Sequence, residues 1–346
     1  MTISCYLYGG WGHDNIGDDL ILDSYLRTLQ TSNAIQDVCI ISANPSETQN
    51  RLSQELLTTP TVLSVAQAIK SIRSDDLLIV CGGGYLNGSW RFHCTRKIIE
   101  IGVLARKAGK AVVHSVEISN LRSWQRWLIT RVLKSADEIR VRDSESRNLL
   151  ISRGLHSTVS SDAITLATPV ERTRSVDNQN DYVLINLTDI EGRGDKNEAE
   201  FTLEDWALFE ETIKELATRK NIKIVCAADY ENKYVREKFN KSDVVYAGSV
   251  DELERLVANA RAVIATRMHI ALAGIRASKP TAAIAYNSKV RRTLHQLNLE
   301  HHLHSLAELN ALLEEGAESN LPFCKNWRTA YTKNREEFKI MLTGAS

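Results

Sequence analysis

Short apolar runs alternate with longer amphipathic segments along most of the chain. Runs such as Ile3–Tyr8 and Glu138–Val141 have the length of buried strands, whereas Asp18–Leu29 repeats its apolar residues with helical spacing. Strands that alternate with helices in this way are typical of βαβ units and a parallel sheet. The first half of the chain therefore predicts a parallel α/β domain. Its further strands are predicted at Val38–Ser42, Leu77–Cys81 and Ala111–Val116, and its further helices at Val65–Ile72, Thr95–Lys107 and Ser123–Ser135.

A polar stretch from Thr168 to Asp181 interrupts this alternation and predicts a linker, because it contains Pro169 and lacks apolar periodicity. After it, strands and helices alternate again from Tyr182–Leu187 to Ser288–Leu297, and a last helix is predicted at Trp327–Leu342. A chain of 346 residues is long enough for two domains. We therefore expect two Rossmann-like parallel-sheet domains, residues 1–170 and 180–320, and a C-terminal helix within 321–346 that packs near the domain junction.

Composition narrows the class of protein. The 43 lysines and arginines balance the 43 aspartates and glutamates, so charge gives no support for nucleic-acid binding. The six cysteines are scattered without metal-ligand spacing, which predicts a reduced, cytoplasmic protein without a metal site. The first residues lack the basic and long apolar regions of a secretory signal. The histidines near the C-terminus lack a fixed ligand geometry, and we interpret them as surface residues: His295, His301, His302 and His304.

Ligands of open parallel sheets bind beyond the carboxyl ends of the strands, so the loops at those ends are the candidates for a site. The first loop, Gly9–Asp19, is rich in glycine, which permits close approach of a ligand to the backbone. A flexible loop with an aspartate that caps the next helix is the alternative. A dinucleotide site is not expected, because the glycine spacing differs from the G-x-G-x-x-G fingerprint. The loop residues assigned to a ligand cleft are Gly12, His13, Asn15, Gly17 and Asp18.

Two further loops carry weaker signals. Gly82, Gly83 and Gly84 follow a buried strand and precede Asn87, so their N–H groups could face an anion or a sugar, or could simply form a tight turn. Arg142-Asp143 follows another strand, where a structural Arg–Asp pair is favoured over a catalytic one. Both loops are assigned to the lining of the cleft.

The strongest signal is Thr266-Arg267-Met268-His269, which follows one apolar strand and begins an apolar helix. A cation at a helix N-terminus opposes the helix dipole, and its burial is costly unless it meets an anion. A bound phosphate or carboxylate would supply that anion. The alternative is an Arg–carboxylate pair within the protein. Lys289 starts a later helix at the same sheet edge and is a second candidate anion contact.

Taken in order, these segments resemble the motifs of the polysaccharide pyruvyl transferase family. The matching residues are Asn15, Gly17 and Asp18 (Asn-x-Gly-Asp), Gly82 to Gly84, Arg142, Asp143 and Ser146 (Arg-Asp-x-x-Ser), Asp162 and Ala163, and Arg267 and His269 (Arg-x-His). The resemblance implies a GT-B-like fold whose two domains face a cleft, with acceptor binding in the first domain and donor binding in the second. It also implies transfer of a pyruvyl group from phosphoenolpyruvate, as co-substrate and without a cofactor, to a sugar of a cell-surface polysaccharide as a ketal.

The resemblance gives the candidate residues their expected roles. His269 would protonate the methylene carbon of phosphoenolpyruvate, and Asp18 would accept a proton from the acceptor hydroxyl. Arg267, Met268 and Lys289 would bind the donor. Many relatives place an arginine at the end of the first strand of the second domain, where this chain continues with Thr188-Asp189. Arg193, further along that loop, is the candidate replacement.

Other interpretations remain open at the level of sequence. One is a GT-B glycosyltransferase with a nucleotide-sugar donor, and another is a non-catalytic glycan-binding relative. The acceptor is a glycan or a lipid-linked oligosaccharide, and homo-oligomerisation is left undecided. The basic, tryptophan-containing segment Leu121–Lys134 would either contact the inner face of a membrane or pack on the sheet with its arginines in water.

Overall fold

The computed structural model describes residues 3–32, 34–169, 182–190, 201–240, 243–322 and 327–343. The chain forms two compact units. The first comprises Met1–His13, Asp18–Ala167 and Tyr331–Ser346, and the second comprises Asp14–Gly17 and Thr168–Ala330. Each contains one parallel sheet with helices between its strands, so the predicted fold class of two parallel-sheet α/β domains is confirmed.

The sheet of the first unit has eight strands among the described residues, in the order β3-β2-β1-β4-β6-β7-β8, with β5 paired to β6. The strands are β1 (Ile3–Tyr8), β2 (Ile35–Ser42), β3 (Thr61–Ser64), β4 (Leu77–Val80), β5 (Gly83–Asn87), β6 (Lys110–Ser119), β7 (Glu138–Val141) and β8 (Thr158–Val159). The helices between them are α1 (Ile16–Leu29), α2 (Pro45–Arg51), α3 (Val65–Ser71), α4 (Arg91–Ala105), α5 (Ser123–Leu133) and α6 (Ser144–Ile151).

The inner strands of this sheet are buried on both faces, which explains why β4 and the end of β1 are continuously apolar rather than alternating. Successive side chains of a strand point to opposite faces. In β1, Tyr6 and Tyr8 pack into one core with α4 and α5 residues, whereas Cys5 and Leu7 pack into the other with α1. The carboxyl ends of the strands are left for the loops that carry the candidate residues.

In the described part of the second unit, the sheet has five parallel strands in the order β11-β10-β9-β12-β13. The strands are β9 (Tyr182–Asn186), β10 (Ile222–Cys226), β11 (Val244–Tyr246), β12 (Ala260–Ala265) and β13 (Thr281–Ala283). The helices are α7 (Leu203–Arg219), α8 (Asp229–Lys238), α9 (Val250–Asn259), α10 (Met268–Arg276), α11 (Ser288–Gln296) and α12 (Leu306–Glu315). None of the helices in the described parts of the chain combines the length and the apolar character that a membrane crossing requires.

The last helix, α13 (Trp327–Thr343), contributes its C-terminal half to the core of the first unit. Phe338 is fully buried, and its ring centroid lies 5.6 Å from that of Tyr25 and 4.9 Å from that of His114. The Tyr25 hydroxyl lies 2.7 Å from Nδ1 of His114. Lys110 Nζ donates to the Met341 carbonyl at 2.7 Å. A segment remote in sequence therefore completes this core.

Two details differ from the sequence-based expectations. The three glycines after β4 do not lead into a helix, because Gly83–Asn87 forms the short strand β5 against β6. His302 was expected on the surface, and this was wrong: its side chain is fully buried and its Nδ1 lies 2.9 Å from the Thr281 carbonyl. Burial lowers the pKa of His302 to about 4. Of the predicted linker, residues 170–181 lie outside the described residues.

We predict that Phe338→Ala destabilises the first unit by about 3–5 kcal/mol, because it removes a fully buried ring and leaves a cavity between Tyr25 and His114. Urea unfolding followed by circular dichroism measures the loss. Ile340→Ala is the matched control, since Ile340 lies on the same helix with 47% of its surface exposed. Equal unfolding midpoints for the two variants would contradict the assignment of α13 to this core.

Candidate active site

Asn186 joins three neighbouring strands of the second sheet at their carboxyl ends. It is the last residue of β9 and is fully buried. Its Oδ1 accepts from the Arg267 N–H at 2.9 Å and from the Thr266 hydroxyl at 3.1 Å, both just after β12. Its Nδ2 donates to the Val225 carbonyl of β10 at 3.0 Å. One amide side chain therefore fixes the turn that carries Arg267.

Arg267 forms an ion pair with a buried carboxylate. Its Nε donates to Oε1 of Glu231 at 2.5 Å, and Glu231 has no exposed surface. The other oxygen of Glu231 accepts from the Ala227 N–H at 2.9 Å and from Asn186 Nδ2 at 3.4 Å. The Arg267 guanidinium also lies 5.3 Å from the ring centroid of Tyr230. The anion that sequence reasoning required for Arg267 is thus supplied at least in part by the protein.

The segment Asp14–Gly17 belongs to the second unit, although the rest of that unit begins only at Thr168. The Ile16 N–H donates to the Ala227 carbonyl at 3.0 Å, after β10. Asp14 accepts from the N–H of Asp229, the first residue of α8, and from the hydroxyl of Tyr246, the last residue of β11. Asp14 therefore caps α8 from a distant part of the chain, as an aspartate at an N-cap does locally.

His269 packs directly against this segment. A Cβ atom added at Gly17 would lie 2.5 Å from Nδ1 of His269, closer than non-bonded atoms approach. The Gly17 N–H donates to Asn15 Oδ1 at 3.2 Å, which fixes the local turn. Asn15 and His269 are half-buried. The Asn-x-Gly and Arg-x-His motifs, which lie in different halves of the sequence, therefore meet in one unit.

The N-terminus of α10 differs from those of its neighbours. Thr202, Ser249 and Asn287 accept N–H groups of α7, α9 and α11 with their side chains, whereas Arg267 at the N-cap of α10 makes no such bond. Met268 is the first residue of α10 and is buried. Lys289 is the second residue of α11 and is half-buried, and α11 follows β13, the strand next to β12. Arg193 lies outside the described residues.

The glycine loops of the first unit surround Asp18. A Cβ atom added at Gly10 would lie 3.2 Å from Oδ2 of Asp18, and one at Gly83 would lie 3.7 Å from Oδ1. Gly12 has φ +80°, and a Cβ there would lie 2.4 Å from the Asn44 nitrogen. The loops after β1 and β4 therefore place their backbones against the carboxylate of Asp18. Side chains at these glycine positions would hinder that approach.

A buried lysine lies beneath these loops. Lys97 of α4 is 1% exposed; its Nζ donates to the Gly9 carbonyl at 3.1 Å and lies 4.9 Å from the ring centroid of Tyr8. Burial lowers the pKa of Lys97 to about 8. The rings of His13 and His93 lie 5.2 Å apart, and burial followed by the charge of Lys97 lowers the pKa of both, to about 4 for His93. Both imidazoles are therefore neutral near pH 7.

The remaining predicted residues of the first unit occupy structural positions. The Gly82 N–H donates to the Tyr25 hydroxyl at 3.1 Å, whereas Gly84 and Asn87 are half-buried within β5. Arg142 is buried and pairs with Asp162 at 3.1 Å and with Glu117, and not with its chain neighbour Asp143. Asp143 is the N-cap of α6 and accepts from the Ser146 N–H at 2.8 Å.

Three residues of these clusters are not among the candidates that were chosen from the sequence. Glu231 lies in a polar helical segment where a glutamate is ordinarily solvent-exposed, and Asn186 only ends an apolar run. Lys97 did leave a signal, because it occupies the apolar stripe of α4 that includes Cys94, Ile98 and Ile101. A lysine in such a stripe is rarely buried without a specific role.

The sequence model of the polysaccharide pyruvyl transferase family matches residues 15–288, which include both motifs that meet at Gly17 and His269. The chain therefore belongs to the polysaccharide pyruvyl transferase family, a family of transferases, and the resemblance drawn from its motifs is confirmed. Among curated proteins, none matches the sequence significantly.

Solved structures with the same fold share little sequence with the chain. The UDP-GlcNAc 2-epimerase of Methanocaldococcus jannaschii has a TM-score of 0.58 at 14% identity, with 99% of both chains covered. Anabaena HepE, solved with UDP and glucose, has a TM-score of 0.60 at 11% identity, again with 99% of both chains covered. The epimerase of Rickettsia bellii has a TM-score of 0.57 at 11% identity, covering 99% of this chain and 97% of its own. These likenesses show that the fold is GT-B-like.

We predict that Glu231→Gln destabilises the second unit by about 3 kcal/mol, because removing one partner of a buried ion pair leaves the other charge uncompensated. The value lies at the lower end of the usual range since 18% of the Arg267 side chain remains exposed. Thermal unfolding of the variant measures the effect. Glu237→Gln, on the exposed side of the same helix, is the control and should unfold as the wild type does.

Proposed function

We propose that this protein transfers the pyruvyl group of phosphoenolpyruvate to two hydroxyls of a sugar in a polysaccharide or its precursor, with release of phosphate. Membership of the pyruvyl transferase family over residues 15–288 carries this proposal. The contact of the family's Asn-x-Gly segment with the Arg-x-His turn supports it, because the residues that the family shares lie together in the second unit.

The residues fit the charges of this donor. Phosphoenolpyruvate carries a phosphate and a carboxylate, which guanidinium groups and helix N-termini bind well. Arg267 stands at the N-terminus of α10, where no side chain of its own caps the helix. Lys289, at the start of α11, is the proposed second cation for the donor.

The reaction balances with one acid and two hydroxyls. His269 donates a proton to the methylene carbon C3, and the resulting oxocarbenium centre at C2 is attacked by one sugar hydroxyl. The C2–O bond to phosphate then breaks, and the second hydroxyl closes the ketal at C2. Of the two hydroxyl protons, one leaves with phosphate and the other restores the proton that His269 donated. Histidine is a common general acid because its proton exchanges near neutral pH. Asp18 as the proton acceptor for the sugar hydroxyl, and Arg193 as a donor contact, remain predictions from the family resemblance.

A nucleotide-sugar donor is the second candidate, because ligands of this class are named for two of the structural neighbours. The Anabaena neighbour is described in complex with UDP and glucose, and the Methanocaldococcus enzyme with UDP-GlcNAc and UDP. These proteins are at most 14% identical to the chain, so their likeness supports the fold and not the ligand. With a nucleotide-sugar donor, the turn that carries Arg267 would bind the diphosphate.

We predict that the protein releases phosphate from phosphoenolpyruvate only in the presence of a suitable glycan with two neighbouring hydroxyls. His269→Gln should lower the rate by about 100-fold or more, as expected for loss of a general acid. Gly17→Ala should also lower it, because the added Cβ would displace the His269 imidazole. Phosphate release and the mass of the glycan product measure both effects.

Gly248→Ala is the matched control for the glycine substitution, because a Cβ at Gly248 meets only Glu252 Oε2 at 3.6 Å. It should leave the rate unchanged. Pyruvylation at the wild-type rate by His269→Gln would contradict the assignment of the acid. Transfer of a sugar from UDP-GlcNAc without any transfer from phosphoenolpyruvate would contradict the proposed donor.

A further inference from the structure

An apolar surface patch lies on α4 and α5 of the first unit. It is made by five large side chains that remain strongly exposed: Trp90, Phe92, Ile99, Trp124 and Trp127, at 60%, 85%, 52%, 42% and 58%. Single exposed apolar residues are ordinary, but a group of large aromatic ones on two contacting helices is not. Such patches mark sites of interaction with a partner or a membrane.

The packing of α5 shows that its tryptophans are not needed by the core. Ile129, Val132 and Leu133 of α5 are buried in the core of the first unit. Trp124 and Trp127 point to the opposite side and remain exposed. α5 therefore has an inner apolar face that packs against the core of the first unit and an outer aromatic face that is exposed to solvent.

A shallow hollow of about 380 Å³ lies within the patch, between the two helices. Its apolar walls are the side chains of Phe92, Ile99 and Trp124, and its rim includes Arg91 and Arg96. Its glutamate, Glu100, accepts from the Tyr8 hydroxyl at 2.5 Å and pairs with Arg96 at 3.3 Å. Arg96 therefore compensates the charge of Glu100, and Arg91 is the second arginine of the hollow.

Basic residues predominate around the patch. The segment Leu121–Lys134 contains four basic residues and no acidic one. The guanidinium of Arg131 lies 5.5 Å from the ring centroid of Trp127, and that of Arg91 lies 5.7 Å from that of Phe92. The exposed cations of the patch are Arg91, Arg96, Arg122, Arg126, Arg131 and Lys134. Because the whole chain has no net charge, this is a local concentration of positive charge.

We propose that the outer face of α4 and α5 docks the protein on the surface of an anionic lipid bilayer. Tryptophan and phenylalanine side chains favour the headgroup level of a bilayer, and clustered basic residues favour anionic lipids. The exposed basic residues beside these aromatic side chains complement the negative charge of an anionic lipid surface, and this charge complementarity is the reason to commit to a bilayer as the partner. The docking would hold the enzyme where lipid-linked glycans are found, independently of which donor it uses.

Co-sedimentation with phosphatidylcholine vesicles, with and without phosphatidylglycerol, tests this proposal. We expect binding only to the vesicles that contain phosphatidylglycerol, and weaker binding at high salt because exposed charges are screened. Phe92→Ser/Trp124→Ser/Trp127→Ser should weaken partitioning at least tenfold, and Arg122→Gln/Arg131→Gln should weaken it too. Leu203→Ser/Leu208→Ser is the matched control, since both leucines are exposed on α7 of the second unit.

Circular dichroism and phosphate release with a soluble acceptor show whether each variant remains folded. Equal binding to both kinds of vesicle, or no binding by the wild type, would overturn the proposal. So would wild-type partitioning of the triple variant. Self-association that the triple variant loses, without any lipid binding, would assign the patch to a second copy of the chain instead.

Discussion

A carboxylate with no exposed surface holds the guanidinium that defines the candidate site. Glu231 accepts hydrogen bonds from Arg267, from Asn186 and from the backbone N–H of Ala227. These bonds link the carboxyl ends of β9, β10 and β12 at one edge of the second sheet. The cost of burying a charge is high, and only charged and hydrogen-bonded partners offset it. The buried charge of Glu231 therefore requires all of these bonds, and the position of the α10 N-terminus depends on them.

The position of His269 depends on the same network and on the absence of a side chain at Gly17. Arg267 fixes the turn, His269 is two residues further on, and Gly17 leaves the space that its imidazole fills. The segment that carries Gly17 is itself bonded to the ends of β10 and β11 through Ile16 and Asp14. Loops at strand ends thus place a histidine, a cation and a helix N-terminus in one unit, and the proposed binding and protonation of an anionic donor requires these three groups.

Much of the fold could be predicted because each βα unit carries its own local signal. The bounds of β1 and β7 agree with those of the apolar runs in the sequence. β5 could not be read in this way, since consecutive glycines have little strand propensity and pair only because β6 lies beside them. The motifs at Gly17 and His269 were visible in the sequence, but Glu231 was not, because its role depends on partners from other strands. For the same reason, the pattern of α5 could not show which of its apolar residues face the core.

The most direct test of the account is the stabilisation of the protein by candidate donors. A ligand at 100 times its dissociation constant adds about 2.7 kcal/mol to the stability of the folded state. We expect phosphoenolpyruvate to raise the melting temperature of the wild type, and to have no effect on Arg267→Gln, in which the cation at the α10 N-terminus is lost. Stabilisation of the wild type by UDP or UDP-GlcNAc, with none by phosphoenolpyruvate, would contradict the account.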